Sequence, residues 1–365
     1  MTQSPDLFDK LLSPAALMCV VLLIAACAPA PYARLQGQTM GTYYAVTMES
    51  TCAVTTEQVD QLMAQLNASF STWDPESRLS QINLQPPLTE LEIDEHLSRV
   101  LQAADEVWQL SGGAFDVTIG PLVNLWGFGP DEGSASAPSE AAAQAARAST
   151  GMRHLSLSSN SLSKAQPQMY IDMSALAKGY AVDRLALLLQ QAQCQNFMAD
   201  IGGEIKVVGQ SPAGRAWRIG VEAPVAEEVG QHVAVLELSG RAVATSGDYR
   251  NYREIDGVRV DHVIDPRIGA PVTNAVVSAT VVHDEAMIAD AWATTMMVLG
   301  EDSAMALADE MNLPLLLLLR VPQGAGSEGS TAAGLQTSST PSKPWKMRYN
   351  GAMEAHVLGQ RAESS

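Results

Sequence analysis

Cysteine is scarce in this chain: there are four, Cys19, Cys27, Cys52 and Cys194, and none of their spacings is that of a thiolate metal site. Positive charge is scarce too. Lys and Arg number 22 against 40 Asp and Glu, for a net charge of -18, which excludes a broad electrostatic grip on nucleic acid. An anionic ligand would need a local remedy, such as a metal ion or helix N-termini. The apolar stretch from Leu11 to Ala26 is too short and too interrupted for a comfortable membrane span, and Leu315 to Val321 is far too short. There is no internal repeat. Helices and strands alternate without a strict βαβ order, which favours an α+β fold of mixed sheets and packed helices over a doubly wound sheet.

What is present at the N-terminus speaks of location. Leu11 to Ala26 ends Ile24-Ala25-Ala26-Cys27, small residues before a cysteine as at the cleavage site of a bacterial lipoprotein signal peptide. On this reading residues 1–26 are removed and Cys27 is lipidated. Ala28 follows it rather than an aspartate, which favours the periplasmic face of the outer membrane over the inner. A Pro/Ala-rich tether covers residues 27–37, a main domain 38–350 and a tail 351–365. Within the domain the Gly/Ser/Thr-rich run 324–343 reads as a disordered insertion. Cys52 and Cys194 can pair in an oxidising compartment, and the sequence leaves that open.

Periodicity places the regular elements. Val59, Leu62, Met63 and Leu66 recur at helical spacing within Thr55–Ala68, opened by a Thr55/Gln58 capping-box pattern. A second helix is expected over Asp94–Ser111, stopped by Gly112. Others are expected over Ser139–Ser149, Gly179–Gln193, Glu285–Leu299 and Asp302–Asn312. Strands are expected at Tyr43–Met48, Ile205–Val208, Trp217–Val221, Val233–Leu238, Val258–Ile264, Val276–Val282, Leu315–Val321 and Trp345–Tyr349.

Several stretches carry chemistry. In YIDMSALAKGYAV (Tyr170–Val182), Asp172 precedes Ser174, placed to cap a helix opening near Ala175. HVIDPRIGAP (His262–Pro271) puts a histidine before an Asp265-Pro266 turn. Gly112-Gly113-Ala114-Phe115-Asp116 leads into a Gly- and aromatic-rich segment ending at Gly129, suited to an apolar wall for a ring system. Ala199-Asp200-Ile201-Gly202-Gly203 offers backbone amides to a phosphate, or a β-bulge. Asp290 and Thr294 stand four apart, so one helix face presents a carboxylate and a hydroxyl, oxygen donors of the kind Mg²⁺ takes.

In order along the chain run TMGT (from Thr39), FSTWDPESRLS (from Phe70), GAFDVTIGPLVNLWGFG, YIDMSALAKGYAVD, ADIGGE, ATSGDY (from Ala244), HVIDPRIGAP and ADAWATTMMVLG (from Ala289). This series resembles the ApbE family, flavin transferases that attach FMN covalently to proteins. The resemblance runs from Thr39 to about Tyr349. It implies an ApbE-like fold with a flavin and metal site in a groove between two lobes. It also implies a reaction: FAD and a protein threonine give FMN-threonine, joined by a phosphoester, and AMP.

Carried over by the resemblance, Met40, Trp73, Ala114, Phe115, Asp116, Asp172, Lys178 and His262 fall where relatives contact FAD. Asp290 and Thr294 fall on the Mg²⁺ ligands, and the carbonyls of Ala175 and Ala293 complete the metal shell. Some members carry Tyr in place of Trp73 and Glu in place of Lys178. The resemblance further implies acceptor flavoprotein subunits, in membrane redox complexes such as sodium-pumping NADH:quinone reductase or Rnf-type electron transport. His262, the one histidine of six inside a matched stretch, is the expected general base, although a carboxylate could serve. The rival readings are an FAD pyrophosphatase, with water in place of threonine, and a non-catalytic FAD-binding lipoprotein.

Overall fold

The computed structural model describes residues 32–130, 136–224, 231–248, 252–255, 257–321 and 344–358. Its frame is one antiparallel sheet of eight strands that lie side by side in chain order. They are β1 (Tyr32–Thr39), β2 (Thr42–Glu49), β3 (Phe197–Ile201), β4 (Glu204–Val208), β5 (Ala242–Gly247), β6 (Val276–His283), β7 (Leu315–Arg320) and β8 (Trp345–Tyr349). The α+β expectation therefore holds, with helices inserted between consecutive strands of a meander.

The central strands are buried on both faces. In β7, Leu315, Leu317 and Leu319 pack into one apolar core while Leu316 and Leu318 pack into another. Successive side chains of a strand point to opposite faces, so a strand covered on both sides reads as an unbroken apolar run. The first core lies under α1 (Thr56–Phe70), α2 (Glu95–Leu110), α3 (Ala177–Gln191), α4 (Ala286–Leu299) and α5 (Glu301–Glu310). The second is closed by a two-stranded hairpin, Trp217–Glu222 with His232–Leu238, whose Trp217, Ile219, Leu236 and Leu238 face it.

Local chemistry sets the helix starts. Thr55 and Gln58 form the expected capping box at α1. Asp94 caps α2 through the Leu97 amide at 2.7 Å, and Gly112, at φ 61°, leaves that helix in the left-handed region. Ser139 caps Glu140–Ala148. The start of α4 is secured from another helix: the carboxylate of Asp183 on α3 accepts the amides of Ala286 and Met287, each at 2.9 Å. Burial pushes that carboxyl up to about 6 against the pull of those two amides.

Four expectations are corrected. The tether does not extend to residue 37, since Tyr32–Thr39 is a strand paired along its whole length with β2 through a Met40-Gly41 turn. Strand pairing overrides a Pro/Ala-rich composition once a partner edge is available. Ser174 does not cap a helix. Its amide donates to Asp172 Oδ1 at 2.8 Å, and α3 opens later, at Ala177. The Val258–Ile264 strand is broken: Val258–Asp261 pairs with Tyr252–Ile255, whereas Ile264–Asp265 pairs with Ala270–Pro271, leaving His262 at the break. The tail begins as a short helix, Gly351–Glu354, capped by Asn350. The lipobox with Cys27, the 324–343 run and residues 359–365 of the tail lie outside the described residues. Cys52 and Cys194 form a disulfide, their Cα atoms 5.1 Å apart.

Candidate active site

A cavity of about 730 Å³ opens between the helical layer, the ends of β4 and β5, and the 114–130 segment. That volume lies in the range of small-molecule and cofactor sites. Trp73, Ala114, Phe115, Asp116, Asp172, Ala175, Lys178, His262, Asp290 and Thr294 all line it. Met40 and Ala293 are not among its lining side chains. Met40 occupies the β1–β2 turn at φ 48° and packs on the helical-side core, and Ala293 is wholly buried inside α4.

The mouth of the cavity is aromatic. Trp73 is 69 % exposed, unusual for so large an apolar ring. It is presented by an ordered turn rather than a loose loop. Ser71 Oγ accepts the amides of Trp73 and Asp74 at 3.2 Å each, and Ser77 and Ser80 both donate to the Ser71 carbonyl. A flat ring held on a fixed turn is a stacking surface. Tyr43 and Phe128 add to the rim.

Asp116 and Asp172 are anchored inward. Thr118 donates to Asp116 Oδ1 through its amide (2.8 Å) and its hydroxyl (2.5 Å), and the Met152 amide donates to Oδ2 (3.2 Å). Burial pushes the Asp116 carboxyl up, and these bonds oppose it. Asn83 holds the strand-like lead-in to Asp172: its amide nitrogen donates to the Ile171 carbonyl at 2.9 Å, and its oxygen accepts the Ile171 amide at 2.8 Å.

The floor is ionic. Lys178 Nζ lies 2.9 Å from Glu204 Oε1 and 3.8 Å from Asp290 Oδ1. Asp290 Oδ2 accepts the Gly179 amide at 3.0 Å, so one carboxylate oxygen is tied to the start of α3 and the other faces the cavity cluster. That bond also diverts from the helical ladder the amide that would otherwise satisfy the Ala175 carbonyl. Thr294 and Ser246 share a hydroxyl–hydroxyl hydrogen bond at 3.1 Å.

Burial pushes the Asp290 and Glu204 carboxyls up. The same burial works to discharge Lys178, but the two carboxylates outweigh it and hold the ammonium more firmly charged than in water. Glu204 Oε2 is buried with no hydrogen-bond partner among the described residues. The Asp290 carboxylate with the Thr294 and Ser246 hydroxyls is a set of oxygen donors, which suits Mg²⁺. Asp290 Oδ1 and Thr294 would hold it, and Ala175 lines the same cavity.

On the wall, His262 Nδ1 is 3.0 Å from Asp261 Oδ1, which also accepts the Val263 amide at 3.0 Å. The His262 ring meets Phe128 edge-on, with centroids 6.3 Å apart. A proton on Nδ1 shared with Asp261 leaves Nε2 as the basic nitrogen. Three residues of this site escaped the sequence reading: Glu204, Asp261 and Ser246. Each sits inside or directly beside a stretch quoted above, yet only the fold sets them against Lys178, His262 and Thr294. The Gly202-Gly203 pair forms the hairpin turn between β3 and β4, with the Gly203 amide given to Asp200 Oδ1 at 3.0 Å.

An exposed aromatic rim over an oxygen-rich ionic floor, carried on a helix-backed meander, makes a small-molecule site. The chain belongs to the ApbE family, whose model matches residues 40–317. It is 39 % identical to the FAD:protein FMN transferase of Vibrio cholerae over 310 residues, 83 % of this chain and 92 % of that protein. It is 37 % identical to the FAD:protein FMN transferase of Haemophilus influenzae over 335 residues, 88 % and 97 % of the two chains. Among solved structures, the flavin transferase ApbE from Vibrio cholerae superposes with a TM-score of 0.77 at 35 % identity, covering 90 % of this chain and all of that one. The apo flavinyl transferase ApbE of Pseudomonas stutzeri gives 0.77 at 31 % identity, covering 91 % and 98 %.

Proposed function

We propose that this chain is an FAD:protein FMN transferase that moves FMN from FAD to a threonine hydroxyl of an acceptor protein and releases AMP. The observation that carries the reading is the meeting, in one cavity, of the Trp73 rim, the Lys178–Asp290–Thr294 floor and the Asp261–His262 pair. Trp73 offers a stacking face for the isoalloxazine. Lys178 supplies a charged donor toward the pyrophosphate in an otherwise acidic site. His262 takes the proton of the threonine hydroxyl on Nε2, while Asp261 holds the ring and steadies the imidazolium. The threonine oxygen forms a bond to the phosphorus of the FMN half as the bond from that phosphorus to the AMP oxygen breaks. Mg²⁺, held by Asp290 and Thr294 with the Ala175 carbonyl, would neutralise phosphate charge and stabilise the departing AMP.

The acceptors on this reading are flavoprotein subunits of membrane redox complexes, of the sodium-pumping NADH:quinone reductase or Rnf kind. The protein itself is anchored through a lipid on Cys27, facing the periplasm, with the outer membrane favoured. The deciding experiment is incubation with FAD, Mg²⁺ and a threonine-containing acceptor, followed by intact mass and nucleotide analysis. An acceptor heavier by FMN, with stoichiometric AMP, is the expected result. Free FMN and AMP with an unmodified acceptor would favour the pyrophosphatase, and unchanged FAD the non-catalytic binder.

A further inference from the structure

The oxygen of Asp290 that remains for a metal is Oδ1, because Oδ2 is engaged by the Gly179 amide. Oδ1 is also the oxygen that faces the Lys178 ammonium, 3.8 Å away. A divalent ion in contact with Oδ1 would stand within a few ångströms of a full positive charge, and like charges repel strongly at that range where water is excluded. The two contacts of Lys178 are unequal: the one to Glu204 is short, 2.9 Å, and the one to Asp290 is long. Glu204 is 3 % exposed, and its second oxygen has no partner among the described residues. An ammonium leaving Asp290 thus keeps Glu204 as its tether and has a second acceptor on the same carboxylate.

We propose that Lys178 is a resident cation that competes with the divalent metal for Asp290, and that Glu204 is the positioning residue that keeps it there. Resting on the metal reading given above, the consequence is an order of binding. Without FAD the Lys178 ammonium already stands against Asp290 Oδ1, and metal binds weakly. When FAD enters, its pyrophosphate gives the ammonium a new partner and adds negative charge, and Asp290 Oδ1 is released to the metal. FAD and metal then bind with positive coupling, which must be reciprocal: each tightens the other by the same factor. The device would keep the metal from occupying the floor of the cavity before the substrate it serves.

The test is a direct titration of the full chain with Mn²⁺ alone, followed calorimetrically or by the free-ion electron paramagnetic resonance signal, with and without FAD. The informative variant is the double change Lys178→Met with Glu204→Gln, which removes the ammonium yet leaves the net charge of the cluster unchanged. In the absence of FAD it should bind Mn²⁺ about tenfold or more tighter than wild type. In wild type, FAD should tighten Mn²⁺ by about tenfold or more, and in the double variant that factor should be clearly smaller, the remainder being the direct attraction of the pyrophosphate for the metal. Equal or weaker Mn²⁺ binding by the double variant without FAD overturns the inference. Should the double variant not fold, as judged by circular dichroism, Lys178→Gln with Glu204→Gln carries the same comparison. Asp290→Asn distinguishes the two levels of argument. Loss of Mn²⁺ binding in that variant upholds the metal site whatever Lys178 does. Wild-type binding there overturns the metal reading and this inference with it.

Discussion

Gly179 on α3 and Ala286 at the start of α4 approach so closely that a Cβ on Gly179 would lie 2.4 Å from the Ala286 carbonyl oxygen and 2.7 Å from Met287 Cα. Both obstacles are backbone, so no side chain can swing aside. The same glycine gives its amide to Asp290. Close packing of the two helices is therefore what brings Lys178 and Asp290 onto one floor. Gly179→Ala should destabilise the protein by about 1–3 kcal/mol, the usual cost of overpacking a well-filled contact. It should also weaken Mn²⁺ binding by displacing Asp290. A thermal melt unchanged from wild type would show that the contact is looser than described.

Asp290 carries the only carboxylate expected to touch the metal. Asp290→Ala should reduce FMN transfer by on the order of a hundredfold or more, as for loss of a major charge-stabilising group. FAD binding, followed by quenching of flavin fluorescence, should be less affected, because Trp73 and the 114–130 segment remain. Near-wild-type turnover at limiting Mg²⁺ would contradict the assignment.

His262 is expected to act on the acceptor proton rather than on FAD affinity. His262→Asn should slow single-turnover transfer by roughly a hundred- to ten-thousandfold, the usual range for a general base, with little change in the FAD dissociation constant. Asp261→Asn should give a smaller loss of the same kind, since it leaves the ring present but less well oriented. If His262→Asn instead greatly weakens FAD binding and leaves the rate at saturating FAD intact, the histidine is a binding residue.

His283 provides a pH test of stability away from the reacting atoms. Its Nδ1 accepts the Glu285 amide at 3.0 Å, and burial pushes its pKa down. A group that is harder to protonate when folded contributes stability that is present above the unfolded value, about 6.5, and is lost as pH falls below it. The wild type should therefore lose melting temperature relative to His283→Gln between pH 7.5 and 5.5. A constant gap between the two across that interval would rule out the coupling.

Cys27→Ser should release the protein from membranes, because the proposed anchor is the lipid on that sulfur. Fractionation of cells expressing each form reads the outcome directly. A variant that still sediments with the membrane would be held by something else.

Much of this was legible in the residues. The capping box at Thr55, the Gly112 stop and the 3.6-residue periods of α1 and α2 are local signals, and they survive into the fold nearly unchanged. Trp345–Tyr349 is a strand with the expected bounds. What was missed depended on partners distant in sequence. Tyr32–Thr39 becomes a strand because β2 is there to pair with it. The Ser174 hydroxyl is not the cap that its spacing suggested, because its amide instead closes a turn on Asp172. The Val258–Ile264 pattern gave no sign that it would pair with two different strands.

By itself the sequence determined the family, the acidic charge and the identity of most residues that line the cavity, because residue types and their order are properties of the chain alone. Only the tertiary structure decided which of them meet. Glu204 and Asp290 are far apart along the chain, yet both reach the Lys178 ammonium, because β4, α3 and α4 converge there. Electrostatic interaction falls off with distance through space and takes no account of distance along the chain. The ionic floor, the inward-turned Asp116 and the exclusion of Met40 and Ala293 from the cavity therefore could not be read until the helices were packed.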